Sequence, residues 1–361
     1  MGVKPVLVST SAELAAAAAA LDGAPRFFID TEFDSGPGSK RLALLQISRG
    51  GEEVWLVDTL KLAALEPLAK VLGRPGAEWV LHAGKQDVEL LTLALKLPQP
   101  PTLFDTQIAW GLLGPEYPVS LAYLLFRCLE LRSMKGEQAG DWLRRPLSPE
   151  QIQYAAEDVA YLPKLRDTLG ARLKEKDREE ICVAASAESC QEDVEPAVSL
   201  DDFRNAWQLD ACGLAVLRHL IDQHNATPPE ERVLPTRVFL SIAKLIPETG
   251  EELGRVKGIP FTWAKRHGAA FAATITRIAF DARKDDYTPL EPPPYATWEG
   301  VLAEGKLRHA VARACRDVDA SPDLVVPGRV FAQLLKKGPD ALGGWRRALI
   351  ADSLTRALSM S

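Results

Sequence analysis

Short apolar runs separated by turn signals dominate the first part of the chain, and apolar positions with a helical period follow them. The runs are predicted to be strands, at residues 26–33, 41–48, 53–58 and 78–82. The periodic segments are predicted to be helices, at residues 62–72, 86–97, 106–113, 120–131 and 149–174. The spacing of the first three strands favours an antiparallel meander. We therefore expect a mixed α/β domain with a central sheet.

The rest of the chain has a helical pattern in which one module is repeated. Residues 235–239 (P-T-R-V-F) match residues 327–331 (P-G-R-V-F) at an offset of 92, and the second copy is shorter in its latter part. One acidic stretch of small residues and one proline-rich stretch have the composition of linkers. The predicted domains are residues 1–178, 200–282 and 296–361, joined by linkers at residues 179–199 and 283–295.

Composition places the chain among ordinary globular proteins, with 361 residues, 47% hydrophobic residues and a net charge of −6. Residues 174–199 carry 3 basic against 8 acidic side chains, so much of the acidity lies in the first linker. Five scattered cysteines without a C-x-x-C pair indicate neither a disulfide framework nor a zinc site. The longest apolar run near the N-terminus, residues 14–21, is too short to cross a bilayer. We expect a cytoplasmic monomer that is not bound to a membrane.

Acidic side chains stand out in three places because of their spacing. Asp30 and Glu32 end an apolar strand two residues apart, so both point to the same face of the sheet. Tyr154 and Asp158 are one turn apart in a helix that begins with a capping box. Asp87 lies in the first turn of a helix that follows a strand. Each of these patterns alone more often marks a solvated strand end or helix surface. Two-metal phosphoryl chemistry requires several acidic residues from separate elements, so the three patterns together favour a metal site.

These residues lie in segments that resemble the motifs of a known family. Three segments resemble the exonuclease motifs of the ribonuclease D family, the DEDD-type exonucleases with a tyrosine in the third motif: residues 28–33 (F-I-D-T-E-F), 82–87 (H-A-G-K-Q-D) and 154–162 (Y-A-A-E-D-V-A-Y-L). Residues 104–107 (F-D-T-Q) and 141–147 (D-W-L-R-R-P-L) also follow that family. The two repeated modules resemble HRDC domains, which are helical nucleic-acid-binding units. The second copy lacks the R-H-G segment that the first has at residues 266–268.

The resemblance implies a ribonuclease-H-like exonuclease domain followed by two small all-α HRDC-like domains. It implies a 3′-to-5′ exoribonuclease that acts on RNA 3′ ends, tRNA precursors being the substrate, with two divalent cations, Mg²⁺ or Mn²⁺. Asp30 would then bridge the cations, and Glu32 and Asp158 would complete the site that activates the attacking water. Asp87 would hold the second cation, and Tyr154 would orient the water through its hydroxyl.

Side chains around the motifs are candidates for contact with the substrate. They are Thr31, Phe33, His82, Gln107, Lys135, Arg144 and Arg145. Phe33 would stack on the terminal nucleotide, and the three basic residues would contact phosphate. His82 is also interpreted as structural support for the second motif. In the first HRDC-like module, the corresponding phosphate-binding candidates are Lys244, Lys257, Lys265 and Arg266.

Two other functions stay open at this point. A non-catalytic RNA-binding adapter would keep the fold, but it should have lost at least one of the five site residues, and all five are present. A 3′-to-5′ DNA exonuclease uses similar motifs, but no polymerase segment accompanies them here and the HRDC-like pair favours RNA. The sequence has no P-loop and no G-x-G-x-x-G motif, so no nucleotide cofactor is expected.

Overall fold

The computed structural model of the protein describes residues 3–34, 40–131, 140–191, 197–228, 231–282, 287–292 and 297–360. The chain forms two compact units. The first consists of residues 1–191 together with residues 306–361, and the second consists of residues 192–305. The C-terminal segment therefore shares a unit with the domain that the motifs predict. None of the described helices is long and apolar enough to cross a membrane.

A mixed six-stranded sheet forms the centre of the first unit within the described residues. Its strands are β1 (Lys4–Val8), β2 (Arg26–Asp34), β3 (Arg41–Ser48), β4 (Glu53–Val57), β5 (Glu78–Leu81) and β6 (Thr102–Asp105), in the order β1-β4-β3-β2-β5-β6. Strand β3 is antiparallel to β2 and β4, and the other three pairs are parallel. The structure confirms the predicted mixed sheet, and its β2-β3-β4 part is the expected meander.

Helices cover both faces of this sheet because the buried strands are apolar on both sides. Phe28 and Leu44 face one core, and Phe27 and Leu45 face the other. The helices of residues 1–191 are α1 (Ser11–Leu21), α2 (Glu66–Leu72), α3 (Lys85–Ala94), α4 (Thr106–Gly111), α5 (Leu121–Leu129), α6 (Pro149–Ala160), α7 (Leu162–Glu175) and α8 (Glu179–Cys190). Helix α6 packs across β2, β3 and β4, whereas α3 lies on the opposite face.

The predicted helix at residues 149–174 is two helices in the structure. Helix α6 ends at Ala160 and α7 begins at Leu162. Pro163 is the second residue of α7, and a proline removes a backbone donor and clashes with the preceding turn. The break therefore falls at Tyr161, two residues before this proline.

Helix α8 occupies much of the segment that the sequence predicts as the first linker. Its buried residues are Cys182, Ala185 and Ser186, which are too small to give a strong apolar period. The helix packs against β6, α3 and α7. The segment is therefore part of the first unit up to residue 191.

The C-terminal segment packs into the same core as the sheet. It contains residues 306–318 of α13 (Trp298–Val318), α14 (Pro322–Val325), α15 (Gly328–Lys337) and α16 (Gly344–Ser359). Buried side chains such as Leu307 and Leu354 share one apolar cluster with Phe28 and Leu44. The Trp345 indole nitrogen of α16 donates to the Glu188 carboxylate of α8 over 2.8 Å. The second repeated module is therefore built into the unit that carries the sheet.

The second unit is helical in its described residues. Its helices are α9 (Ala211–Ala226), α10 (Phe239–Leu245), α11 (Gly250–Gly254) and α12 (Phe261–Ala282), with the first part of α13. They enclose a separate apolar core that includes Leu217, Phe239 and Ile275. Helices α11 and α12 meet at Gly250 and Gly268, where a Cβ atom on Gly268 would lie 2.9 Å from the Gly250 Cα atom. The close approach requires glycine at this crossing.

Candidate active site

The carboxyl end of β2 carries two acidic side chains on one face of the sheet. Asp30 is paired with Gln46 of β3, and Glu32 is paired with Leu44. Directly opposed residues of antiparallel strands share a face, so both carboxylates lie on the side that α6 covers. Thr31, between them, points to the other side. A β-bulge follows directly after Glu32.

Helix α6 brings the third carboxylate to this face. Ser148 caps the helix and forms a capping box with Gln151, which fixes the register that places Tyr154 and Asp158 one turn apart. Carboxylate oxygens of Asp30, Glu32 and Asp158 all lie within 4.8 Å of one another. We call these three residues the acid cluster. The structure thus brings together three of the four predicted cation ligands.

The fourth predicted ligand, Asp87, comes from the other face of the sheet. It lies in the first turn of α3 and is buried, with 8% of its surface exposed. The Thr31 hydroxyl donates a hydrogen bond to its carboxylate. Asp87 lies near enough to raise the pKa of both Asp30 and Glu32. Thr31, predicted as a substrate contact, is buried and positions Asp87 instead.

Repulsion and burial disfavour the charged forms of the acid cluster. Burial, with the charges of Asp87, Asp158 and Glu32, raises the pKa of Asp30 well above its ordinary value. Burial, with the charges of Asp158 and Asp87, raises the pKa of Glu32 to about 8. Burial raises the pKa of Asp158 to about 7, although a hydrogen bond from Tyr154 lowers it. A divalent cation would relieve this repulsion, and a set of oxygen ligands suits Mg²⁺ or Mn²⁺.

Tyr154 stands beside the acid cluster on the same helix face as Asp158. Burial raises its pKa above the ordinary value, and the charges of Asp158 and Glu32 add to the effect. The phenol therefore keeps its proton at neutral pH and can donate a hydrogen bond. Its ring packs against Trp142, with the ring centroids 6.2 Å apart.

Asp105 organises the turn that leads to Asp87, a role that the sequence analysis did not assign. One of its carboxylate oxygens accepts from the Ala83 backbone nitrogen at 3.1 Å, and the other accepts from the Gly84 nitrogen at 3.0 Å. The turn is tight, since Ala83 has a φ of 55° and a Cβ atom on Gly84 would lie 2.6 Å from Leu81. The Asp105 backbone nitrogen in turn donates to the Ser186 hydroxyl of α8 at 3.1 Å. The family resemblance of residues 104–107 (F-D-T-Q) was the sequence feature that could have indicated a role for Asp105.

Two further predicted substrate contacts have structural partners. The ring nitrogens of His82 lie 3.0 Å from the Thr106 hydroxyl and 3.1 Å from the Val119 carbonyl oxygen. The Gln107 amide donates to the same carbonyl oxygen at 2.7 Å. Both side chains hold the segment before α5, which agrees with the structural interpretation of His82.

The structure separates the two adjacent arginines that were predicted to bind phosphate. Arg145 forms two hydrogen bonds of 2.7 and 2.8 Å with Asp58, whose side chain is 1% exposed, and a third of 2.9 Å with the Ala43 carbonyl oxygen. Its guanidinium is therefore committed to a buried ion pair, which corrects its assignment to substrate. Arg144 is exposed. Phe33 is partly buried at the end of β2, and Lys135 lies outside the described residues.

The family model described as "3'-5' exonuclease" matches residues 5–174. This stretch contains all of the sheet except Lys4, together with Asp87, Tyr154 and the acid cluster. The fold and the site thus define a 3′-to-5′ exonuclease domain.

Full-length relatives extend the match to the C-terminal segment. Ribonuclease D of Pseudomonas paraeruginosa is 30% identical over 352 residues, covering 92% of each chain. Ribonuclease D of Escherichia coli is 28% identical, covering 98% of each. The crystal structure of Escherichia coli RNase D, an exoribonuclease involved in structured RNA processing, is similar with a TM-score of 0.77 and 25% identity, covering 100% of this chain and 99% of that one. The chain belongs to the ribonuclease D family, which confirms the predicted class of enzyme, a 3′-to-5′ exoribonuclease.

Proposed function

We propose that the protein hydrolyses RNA from the 3′ end and releases nucleoside 5′-monophosphates, with two divalent cations, Mg²⁺ or Mn²⁺, at the acid cluster and Asp87. The observation that carries the proposal is the convergence of three carboxylates within 4.8 Å. Such an arrangement is unfavourable by itself because burial and mutual repulsion raise the pKa values of its members. Cations bound at this site would offset the repulsion between the three carboxylates.

Each residue of the site has a distinct part in this proposal. The charges of Asp87, Asp158 and Glu32 all raise the pKa of Asp30, so Asp30 is the residue that would be shared by the two cations. Glu32 and Asp158 complete the cation site next to the attacking water. Cations held by these residues would stabilise the negative charge on the phosphate and lower the pKa of a bound water.

Tyr154 orients the attacking water by donating its hydroxyl proton in a hydrogen bond. In the cation-free site its pKa is raised by burial and by the charges of Asp158 and Glu32, so the phenol holds its proton there. Its place next to Asp158, on the same helix, keeps the hydroxyl at the edge of the acid cluster. The hydroxyl is therefore proposed to act by positioning the water.

Substrate contacts are proposed for the exposed candidates. Arg144 is the predicted phosphate ligand that the structure leaves exposed, and Phe33 lies directly after the acidic pair of β2. In the second unit, Lys244, Lys257, Lys265 and Arg266 are exposed, which supports backbone-phosphate contacts by that module. Precursors of tRNA are the proposed substrates, and the protein is proposed to act as a monomer.

The five cysteines are free thiols, and free thiols fit a reducing compartment. We therefore propose that the protein acts in the cytoplasm.

The direct test is digestion of a 5′-labelled RNA with a 3′ overhang, in Mg²⁺, in Mn²⁺ and in EDTA. A ladder of shortened products that appears with metal and disappears in EDTA is the expected result. A 3′-labelled copy of the same RNA should release mononucleotide at once. RNA that is bound but never shortened with either metal would support the adapter function instead.

A further inference from the structure

Gln46 is buried in the floor of the site. Its side chain has 0% of its surface exposed, and neither its amide nitrogen nor its amide oxygen has a partner among the residues that the structure describes. A buried amide that makes no hydrogen bond costs free energy. A structural role in the strand would be met better by an apolar side chain, because the neighbouring positions are apolar.

The sheet register places this amide beside Asp30. Gln46 is directly opposite Asp30 in the β2–β3 pair and opposite Leu56 in the β3–β4 pair. The next residues of β3 on the same face are Leu44 and Ser48, and the Ser48 hydroxyl already accepts from the Gly50 backbone nitrogen at 3.1 Å. Asp30 is therefore the charged residue directly opposite Gln46 on this face of the sheet.

Helix α6 closes the space above the amide. The helix packs over β2, β3 and β4, and its buried residues include Ala155, Ala156 and Val159. These apolar side chains belong to the same core as Leu44 and Leu56. These three side chains offer the amide no hydrogen-bonding group, and the carboxylate directly opposite Gln46 in the sheet register is that of Asp30.

We propose that Gln46 is a positioning residue for the cation site, donating a hydrogen bond from its amide nitrogen to the Asp30 carboxylate when that carboxylate is ionised and holds a cation. Groups that hydrogen-bond to metal ligands orient them, and their loss typically weakens metal affinity about 10- to 100-fold. The amide is neutral, so it supports the ionised carboxylate without adding a charge to the acid cluster. The inference rests on the proposed function, since it requires a cation at Asp30.

The test measures Mn²⁺ binding by calorimetry in the full-length protein without RNA. Gln46→Met removes the amide and nearly conserves the side-chain volume. Thr276→Val is the matched control, because the Thr276 hydroxyl of α12 is also buried without a partner among the described residues but belongs to the second unit. Melting temperatures in EDTA establish that each variant is folded. Gln46→Leu replaces the methionine variant if that variant does not fold.

Gln46→Met is expected to melt at or above the wild-type temperature in EDTA and to bind Mn²⁺ roughly tenfold more weakly. Its RNA hydrolysis should recover at high Mn²⁺, whereas Thr276→Val should bind Mn²⁺ as the wild type does. Wild-type Mn²⁺ affinity in a folded Gln46 variant would overturn the inference and leave the proposed function intact. Failure of the wild-type protein itself to bind Mn²⁺ would overturn both.

Discussion

The raised pKa values of the acid cluster predict that the cation-free protein becomes less stable as the pH rises from 5 to 8. In the folded protein the pKa of Glu32 is raised from 4.5 to about 8, and that of Asp158 from 3.8 to about 7. Over this range the folded protein binds more protons than the unfolded chain does. The resulting stabilisation is complete below the unfolded pKa and is lost as the pH rises through the folded pKa.

The size of the effect follows from proton linkage. One extra proton in the folded state lowers the free energy of unfolding by about 1.4 kcal/mol for each pH unit. One proton held between pH 5 and pH 7 therefore corresponds to roughly 3 kcal/mol, and solvent screening of these partly buried groups reduces this to about 2 kcal/mol. For a unit of this size, such a change shifts the melting temperature by about 4–8 °C.

The assay is thermal unfolding in EDTA at pH 5, 6, 7 and 8. Glu32→Gln cannot ionise at this position, so its melting temperature should fall less steeply with pH than that of the wild type. Asp34→Asn is the matched control, because Asp34 is exposed at the end of the same strand. Saturating Mn²⁺ should make the melting temperature of the wild type depend less on pH. Identical pH dependence of the wild type and Glu32→Gln would refute the electrostatic argument.

Other variants separate structural from catalytic roles. Arg145→Ala should lower the free energy of unfolding by about 3 kcal/mol in a denaturant titration, because the buried Asp58 loses its ion-pair partner. Arg144→Ala should leave stability unchanged and weaken RNA binding at low salt, and equal stability losses would contradict the assignment. Tyr154→Phe should lower the single-turnover rate at least tenfold with RNA affinity unchanged; an unchanged rate would make the tyrosine a packing residue. Removal of residues 306–361 should destabilise the exonuclease unit, because these residues share its apolar core. A truncated protein with the melting temperature and RNA hydrolysis of the full chain would show that this packing does not stabilise the unit.

The sequence predicted the site better than its surroundings. The D-x-E pair and the Tyr154–Asp158 pair could be placed because strand and helix periods fix which residues share a face, and the capping box at Ser148 fixes the register. Strand and helix periods do not predict that these elements meet in space, because that depends on the tertiary fold. The resemblance to the family motifs provided this prediction. The acid cluster of the structure contains three of the four predicted cation ligands, and Asp87 is held separately by Thr31.

Neighbouring residues of the same type could not be distinguished from the sequence. Arg144 and Arg145 differ in whether a buried carboxylate lies within reach, and Asp58 is 87 positions away from Arg145 in the chain. Thr31 was predicted to face the substrate, yet it donates to Asp87 across the sheet. Long-range polar partners of this kind leave no local pattern.

The first linker was predicted from composition, and composition was misleading up to residue 191. Helix α8 buries small side chains such as Ala185 and Ser186, so it lacks the apolar stripe by which amphipathic helices are recognised. The same helix contacts the C-terminal segment through Glu188. The association of the second repeated module with the exonuclease core could not be predicted from the repeat itself.

The most direct test of the central claim compares hydrolysis by Asp30→Ala and Asp34→Ala in saturating Mg²⁺ or Mn²⁺. The two variants remove carboxylates from the same strand, four residues apart, but Asp30 alone of the two belongs to the acid cluster. Asp30→Ala should bind RNA and fail to shorten it, whereas Asp34→Ala should produce the wild-type ladder. Substantial metal-dependent shortening by Asp30→Ala would contradict the assignment of the acid cluster as the catalytic site.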